Sequence, residues 1–235
     1  KQLSRTVFYH LDPDTGQQIP LESGLNMDGT TSDILTGDGE LVYLKYFAFG
    51  RDGQPTAETN NHLFSITGLL VEEWFVRSYW VLGKGKPGAG WSNWASAATF
   101  FPAGRILCFN EDNVYGYGRV KVASAAVGHK LDAYHLFGAP RMTPAQDEPE
   151  PKPGEKKRRA GKPQASPKAP PLWSITDSLI VRAMAMGGPR IAVAGPVDLG
   201  QKTEDGVLAF QNEAEARAAF EGKRGILLRI INADD

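Results

Sequence analysis

Four of the five tryptophans lie within 21 residues, at positions 74, 80, 91 and 94, and Arg77 lies among them. Indole rings stack on planar ligands such as cofactor rings or sugars, and an arginine adds a charged hydrogen-bond donor. The stretch therefore predicts a ligand platform. Large aromatic side chains dominate protein cores in general, which favours packing between neighbouring sheets for the same residues, with the glycines of residues 83–90 forming a loop. The residue pattern leaves both interpretations open.

Three further arginines, Arg105, Arg119 and Arg182, lie on or beside predicted strands. A buried arginine needs a partner, so we expect them either to pair with acids such as Asp112 and Asp177 or to bind a carboxylated ligand. The candidate ligand-binding residues are Arg77, Trp80, Trp91, Trp94, Arg105 and Arg119.

The sequence shows no catalytic or metal-binding motif. The four histidines, at positions 10, 62, 129 and 135, lack the spacing of a metal site, and Cys108 has no second cysteine beside it. Residues 83–88, Gly-Lys-Gly-Lys-Pro-Gly, do not continue into the Lys-Ser/Thr pair of a phosphate loop. Neighbouring acids such as Asp12 and Asp14 fall in predicted turns, where they usually bond the backbone. We therefore predict no metal site and no catalytic residue.

Composition excludes several classes of protein. Glycine (26) and proline (16) form about 18% of the 235 residues, against roughly 12% in average proteins, which disfavours a helical bundle or coiled coil. The net charge of −1 gives no basic field for nucleic acid, and no apolar run reaches the length of a transmembrane helix. A single cysteine excludes an internal disulfide. The start has no signal-peptide pattern, and we expect a mature or cropped piece of a longer protein.

A proline-rich segment divides the chain. Residues 143–171 contain 8 of the 16 prolines and no aromatic or branched aliphatic side chain, so they cannot bury apolar surface. We predict a disordered linker or insertion there, between strand-rich parts at residues 1–142 and 172–235. The basic run Lys156–Arg159 lies in mixed charge and is typical of a solvated linker rather than a nucleic-acid contact.

Short runs of β-branched and aromatic residues between turn residues predict strands on both sides of this segment. The best hairpin candidate joins residues 104–109 to 114–118 through Asn110–Asn113, and residues 40–49 are predicted as one strand. A short helix is predicted near residues 212–221, because an alanine- and glutamate-rich run follows Asn212 and ends at Gly222. Residues 71–80 fit helix or strand. Many short strands with one inserted helix predict an all-β sandwich, barrel or propeller, and the recurring strand and Asp-rich turn favour the propeller.

One of these turns resembles a known repeat. Leu11-Asp-Pro-Asp-Thr-Gly-Gln17 is similar to the LDxxTGxxxW turn of PQQ-like (quinoprotein-like) β-propeller repeats, with Pro20 in place of the tryptophan, and the terminal residues 231–235 look like the same turn. Residues 62–65 with 77–83, 102–119, and 172–174 with 181–184 and 193–196 resemble large repeat proteins of planctomycete-type bacteria.

The resemblance implies about three blades of a longer propeller and a periplasmic or exported location. Since the 206 residues outside the linker are marginal for a closed ring, we expect an open arc, or a segment completed by missing blades or a protein partner. The calcium ligands and catalytic aspartate of quinoprotein dehydrogenases find no matching residues, so a non-catalytic module for ligand or protein binding is the leading hypothesis. The alternatives are part of a PQQ-dependent oxidoreductase, whose cofactor PQQ enters by resemblance alone, or a carbohydrate-binding propeller.

Overall fold

The chain forms a series of small antiparallel sheets. The computed structural model describes residues 5, 9–20, 34–45, 47–65, 80–84, 101–119, 134–141, 170–176, 178–202 and 208–234. Much of the predicted linker, residues 143–169, therefore lies outside the described residues. Within them, short strands and a single helix confirm the expected all-β class.

The first half holds a hairpin and two sheets. Strands β1 (Tyr9–Leu11) and β2 (Gln18–Pro20) pair across the predicted Asp12–Gly16 turn. Sheet I contains, in order, β3 (Leu35–Gly37), β4 (Val42–Leu44), β5 (Phe47–Phe49) and β6 (Pro55–Thr56). Sheet II contains β7 (His62–Ser65), β8 (Trp80–Gly83) and β9 (Ala103–Gly104).

The second half holds two larger sheets and the helix. Sheet III contains β10 (Ile106–Phe109), β11 (Asn113–Arg119), β12 (Tyr134–Pro140) and β13 (Trp173–Ile175). Strands β14 (Ala183–Gly187) and β15 (Arg190–Gly195) are followed by the separate pair β16 (Gln201–Lys202) and β17 (Leu208–Ala209), by helix α1 (Glu213–Phe220) and by β18 (Leu227–Asn232). Sheet IV has the order β14, β15, β18.

The hairpin predicted around Asn110 is confirmed, with Phe109 opposite Val114. The Asn110 side-chain oxygen accepts hydrogen bonds from the N–H groups of Asp112 and Asn113. Asp12 and Asp38 close their own turns in the same way, each with one carboxylate oxygen accepting two backbone N–H groups. Such turns fix the register of a hairpin through local hydrogen bonds.

The helix predicted near residues 212–221 is present as α1. The Asn212 side-chain oxygen accepts from the Glu215 N–H, which satisfies one of the first free donors of the helix. The prediction of one strand over residues 40–49 was wrong. The chain reverses between β4 and β5, with Leu44 opposite Phe47, and Lys45 adopts a positive φ of 56°.

Successive sheets pack face to face. Tyr43 of sheet I stacks on His62 of sheet II, and Leu82 of sheet II lies in one buried cluster with Val114, Phe137 and Ala139 of sheet III. A second buried cluster joins sheets III and IV and contains Tyr115, Tyr117, Leu136, Leu179, Val181, Ile191, Val193 and Ala233. The Trp173 indole N–H donates to the Ala233 carbonyl at 2.9 Å and fastens the end of sheet IV to sheet III. The sheets thus form a series from I to IV.

Close approach between backbones leads to a stability prediction. A Cβ placed on Gly195 would overlap the carbonyl oxygen of Ile180, whereas one on Gly187 in the same sheet meets nothing within 4 Å. We expect Gly195→Ala to lower the free energy of unfolding by about 1–3 kcal/mol, because backbone atoms must shift, and Gly187→Ala to change it by about 0.5 kcal/mol or less. Urea denaturation compares the two variants, and similar unfolding midpoints would contradict the close approach.

Candidate functional site

The sequence-predicted ligand platform is only partly covered by the described residues. Trp74, Arg77, Trp91 and Trp94 lie outside them. Trp80 is half-buried in β8, where its neighbours across the sheet are Ser65 and Gly104. Of the four clustered tryptophans, Trp80 is therefore the one that the structure describes, and it is part of a sheet.

Among the described residues, Arg105 and Arg182 are exposed rather than buried. Arg105 is exposed between β9 and β10, one residue after the Gly104 that pairs with Trp80. Arg119 ends β11. Arg182 is exposed, donates to the Phe220 carbonyl and lies over the Phe220 ring at 4.3 Å, so it binds helix α1 through a cation–π contact.

A polar network joins sheets I and II. The Tyr43 hydroxyl, on a fully buried side chain, donates to one Asp38 carboxylate oxygen at 2.6 Å. The Asn60 side chain donates to the same oxygen at 2.9 Å, and its backbone N–H donates to the Tyr43 hydroxyl at 3.3 Å. The β3–β4 turn is thereby tied to the segment that leads into β7.

His62 extends this network. Its ring lies parallel to Tyr43 with centroids 3.6 Å apart, its Nδ1 faces the Asn60 carbonyl and its Nε2 faces the Lys45 carbonyl, both at 2.8 Å. A neutral imidazole donates from one nitrogen, and only the doubly protonated ring donates to both carbonyls. Lys45 occupies the positive-φ position of the β4–β5 turn, which is unfavourable for a side-chain-bearing residue. His62 thus holds a strained turn, and its role here is structural.

The network shifts two pKa values. Burial of Asp38 acts to raise its pKa, but hydrogen bonds from the Leu41 N–H, the Tyr43 hydroxyl, Asn60 and the Glu40 N–H outweigh it and hold the pKa well below its usual range. Burial, helped by the hydrogen bond to Asp38, raises the pKa of Tyr43 to about 12. At neutral pH the pair is therefore a phenol donating to a carboxylate.

A serine and a histidine form a second polar pair, on sheet III. The His135 Nδ1 lies 2.6 Å from the Ser174 hydroxyl, and both residues face sheet II beside Phe137. A hydroxyl against an imidazole is one component of nucleophilic catalysis, which also requires an oriented base and donors for an oxyanion. Here the contact is a hydrogen bond that links the neighbouring strands β12 and β13.

No protein-family model, curated protein or solved structure matches the chain. Within the described ranges, no three His, Cys, Asp or Glu side chains converge as metal ligands, and no helix is long and apolar enough to cross a membrane.

Sheet IV carries an apolar surface on one of its two faces. Side chains alternate between the two faces of a strand. Met184, Met186, Ile191, Val193 and Ile231 face sheet III and pack there. Ala183, Ala185, Ala192, Ala194, Leu228 and Ile230 therefore occupy the opposite face, which we call the terminal face.

The terminal face is open to solvent. Leu228 is 68% and Ile230 58% exposed, Ala183 and Ala185 are exposed, and Ala192 and Ala194 are half-buried. These six side chains are all apolar, with Arg190 and Asn232 at one end. β18 also forms the edge of sheet IV. Clustered apolar side chains of this kind mark interaction surfaces.

Sequence reasoning missed this surface, although its signal is in the strand sequences. A strand with one face in solvent alternates apolar and polar residues, whereas one that is covered on both faces is apolar throughout. β15 contains Ile-Ala-Val-Ala, and β18 contains Leu-Leu-Arg-Ile-Ile. Neither strand alternates with polar residues in the manner of a solvent-facing strand.

The tyrosine in the network gives a pH prediction. Because the folded pKa of Tyr43 is raised, its contribution to stability is fully present below its unfolded pKa of about 10 and is lost as the pH rises to about 12. Tyr117, whose pKa burial also raises to about 12, acts in the same window. Because Tyr43→Phe has no phenol to titrate, we expect its free energy of unfolding to fall on the order of 2 kcal/mol less than that of the unaltered chain as the pH rises from about 10 to about 12. Urea denaturation at several pH values in this range measures the difference.

The variant Tyr117→Phe and the double variant are matched controls for the pH prediction. Each single variant should make the alkaline decline in stability shallower, and the double variant shallower still. An unchanged decline in Tyr43→Phe would show that the phenol titrates normally in the folded chain.

Proposed function

We propose that the chain is part of a β-propeller and acts as a non-catalytic binding module whose partners are proteins or further blades. The arrangement of the sheets supports a propeller. Each sheet is a small antiparallel unit. First strands lie side by side at two junctions, β3 with β7 and β10 with β14, while sheets II and III meet through β8 with β10 and β9 with β11. Sheets that pack in series with their first strands adjacent have the arrangement of propeller blades.

The exposed terminal face carries the proposal of protein binding. A surface of six apolar side chains on a sheet has the composition of an interface core and lacks the polar groups that would orient a small ligand. A sugar or a quinone cofactor would need converging hydrogen-bond donors and acceptors. On the sequence resemblance, we further propose an exported or periplasmic location.

An apolar dye tests whether the terminal face is available for binding. At concentrations where the chain is monomeric, we expect it to enhance the fluorescence of anilinonaphthalene sulfonate, because exposed apolar surface binds the dye. The double variant Leu228→Glu/Ile230→Glu should reduce the enhancement. Leu172→Glu, at a 56% exposed position before β13, is the matched control and should leave it unchanged. Equal fluorescence from all three proteins would contradict an accessible apolar face.

A second measurement tests the absence of catalysis. PQQ added with calcium should leave the quinone absorbance unchanged and produce no dye-linked oxidation of alcohols or sugars. Binding accompanied by turnover would support a quinone-dependent oxidoreductase instead. Titration with oligosaccharides, followed by tryptophan fluorescence, tests carbohydrate binding, for which we expect no change.

A further inference from the structure

Strand β18 is the outer edge of sheet IV, and it differs from the outer edges of the other sheets. In the part of the chain that the structure describes, the last strands of sheets I, II and III contain two or three residues, and that of sheet I includes Pro55. Short strands and proline protect an edge, because they offer few backbone groups to another chain. β18 contains six residues and no proline. Sheet IV thus lacks the protection that sheets I to III have at the same place.

The backbone of β18 has one side bonded to β15 and one open side. Just past the end of the strand, the Ala233 N–H donates to the Pro189 carbonyl at 2.7 Å on the bonded side. Backbone groups of successive residues in an antiparallel strand point to the two sides alternately. Those of Leu228 and Ile230 therefore point away from β15, and the described residues provide them with no hydrogen-bond partner. Two N–H donors and two carbonyl acceptors point outward along this edge.

This row of donors and acceptors fits an extended polypeptide. A strand laid antiparallel to β18 exchanges backbone hydrogen bonds with both Leu228 and Ile230, whereas an α-helix uses its own backbone groups internally. Directly opposite side chains in such a pair lie on the same face of the sheet. Residues opposite Leu228 and Ile230 therefore extend the terminal face and should be apolar. The residue between them lies opposite the exposed Arg229 and should be acidic.

The interface between sheets III and IV continues onto such a strand. β10 lies beside β14, and the Trp173 indole of β13 donates to the Ala233 carbonyl directly after β18. The two sheets are therefore stacked with their strands in corresponding order. Sheet III has β13 as its fourth strand, and sheet IV ends with its third. A strand added to β18 would lie beside β13 and extend the contact that these sheets already make.

A second copy of the chain fits this edge less well. If two β18 strands paired with Leu228 opposite Ile230 of the second copy, their Arg229 side chains would lie directly opposite each other. Like charges in that position are destabilising. A different protein can place an acid there instead.

We infer that sheet IV binds an extended segment of another protein, which adds a strand to the edge of β18. The segment has apolar residues opposite Leu228 and Ile230 and an acidic residue opposite Arg229. This inference rests on the proposed function and names the site and the chemistry of the partner.

A labelled peptide tests the strand addition. The probe is a heptapeptide with Val-Glu-Val at its centre, two threonines on each side and fluorescein at its N-terminus, and fluorescence anisotropy measures its affinity for the 235-residue chain. In the inferred register both valines donate their N–H groups to β18, whereas the glutamate N–H points away. N-methylation of the two valines should therefore weaken binding by about tenfold or more, and N-methylation of the glutamate by about twofold or less.

Proline variants of the protein give the reciprocal test. Leu228→Pro and Ile230→Pro each remove one outward N–H and keep the hydrogen bonds to β15, so the folded chain should tolerate them while peptide binding falls about tenfold or more. Leu228→Val keeps the donor and is the matched control. Circular dichroism checks that each variant folds.

A charge reversal tests the register without altering the backbone. Arg229→Glu should weaken binding of the glutamate peptide several-fold, and a peptide with lysine in place of glutamate should bind this variant more tightly than it binds the unaltered chain. This comparison remains decisive if a proline variant does not fold.

Other outcomes would overturn the inference. Equal affinities for the two N-methylated peptides would show that the contact does not depend on backbone hydrogen bonds. Dimers of the unaltered chain that the peptide disrupts would make a second copy the occupant of the edge. A chain that binds the apolar dye through Leu228 and Ile230 but not the peptide would refute strand addition and leave the binding module in place. Absence of dye binding as well would refute the proposed function.

Discussion

Face-to-face packing of small sheets is the constraint on which this structure depends. The strands contain two to seven residues, and a sheet of such strands is marginal by itself in water. Sheets II and III are covered on both faces. Sheet II packs on sheet I through the Tyr43–His62 contact and on sheet III through the cluster around Leu82, and sheet III packs on sheet IV through the aromatic cluster around Tyr115 and Tyr117. Sheet IV packs on sheet III through one face only, and its other face exposes Leu228 and Ile230.

Glycines and polar side chains have separate roles in this arrangement: the glycines leave room for aromatic rings, and the polar side chains fix the turns. Gly116 and Gly138 lie beneath the rings of Phe137 and Trp173, where a Cβ would clash, so they let large rings lie flat on sheet III. Asp12, Asp38 and Asn110 fix the turns by binding backbone N–H groups. His62 and Asp38 then connect one sheet to the next. Local hydrogen bonds thus set each hairpin, and aromatic packing sets the order of the sheets.

The sequence predicted those parts of the fold whose cause is local. The hairpin at Asn110 and the helix after Asn212 follow from the capping chemistry of single side chains. The reversal at Lys45 could not be predicted in that way, because its turn contains no glycine, proline, asparagine or aspartate. Its cause is distant: the Lys45 carbonyl is held by His62, seventeen residues later in the chain. The apolar pattern of the terminal face is visible in β15 and β18, but its exposure depends on which sheet ends the series, which the sequence does not show.

The terminal face is best understood through the two-sided pattern of its strands. A strand that packs on one neighbour needs one apolar face, which Ile191 and Val193 already provide on the side of sheet III. Apolar residues at Ala192, Ala194, Leu228 and Ile230 add nothing to that contact and expose surface that water disfavours. Polar residues there would cost the isolated chain no packing. Their absence is explained if sheet IV, like sheets II and III, is an inner sheet of a larger assembly, in which both of its faces are covered.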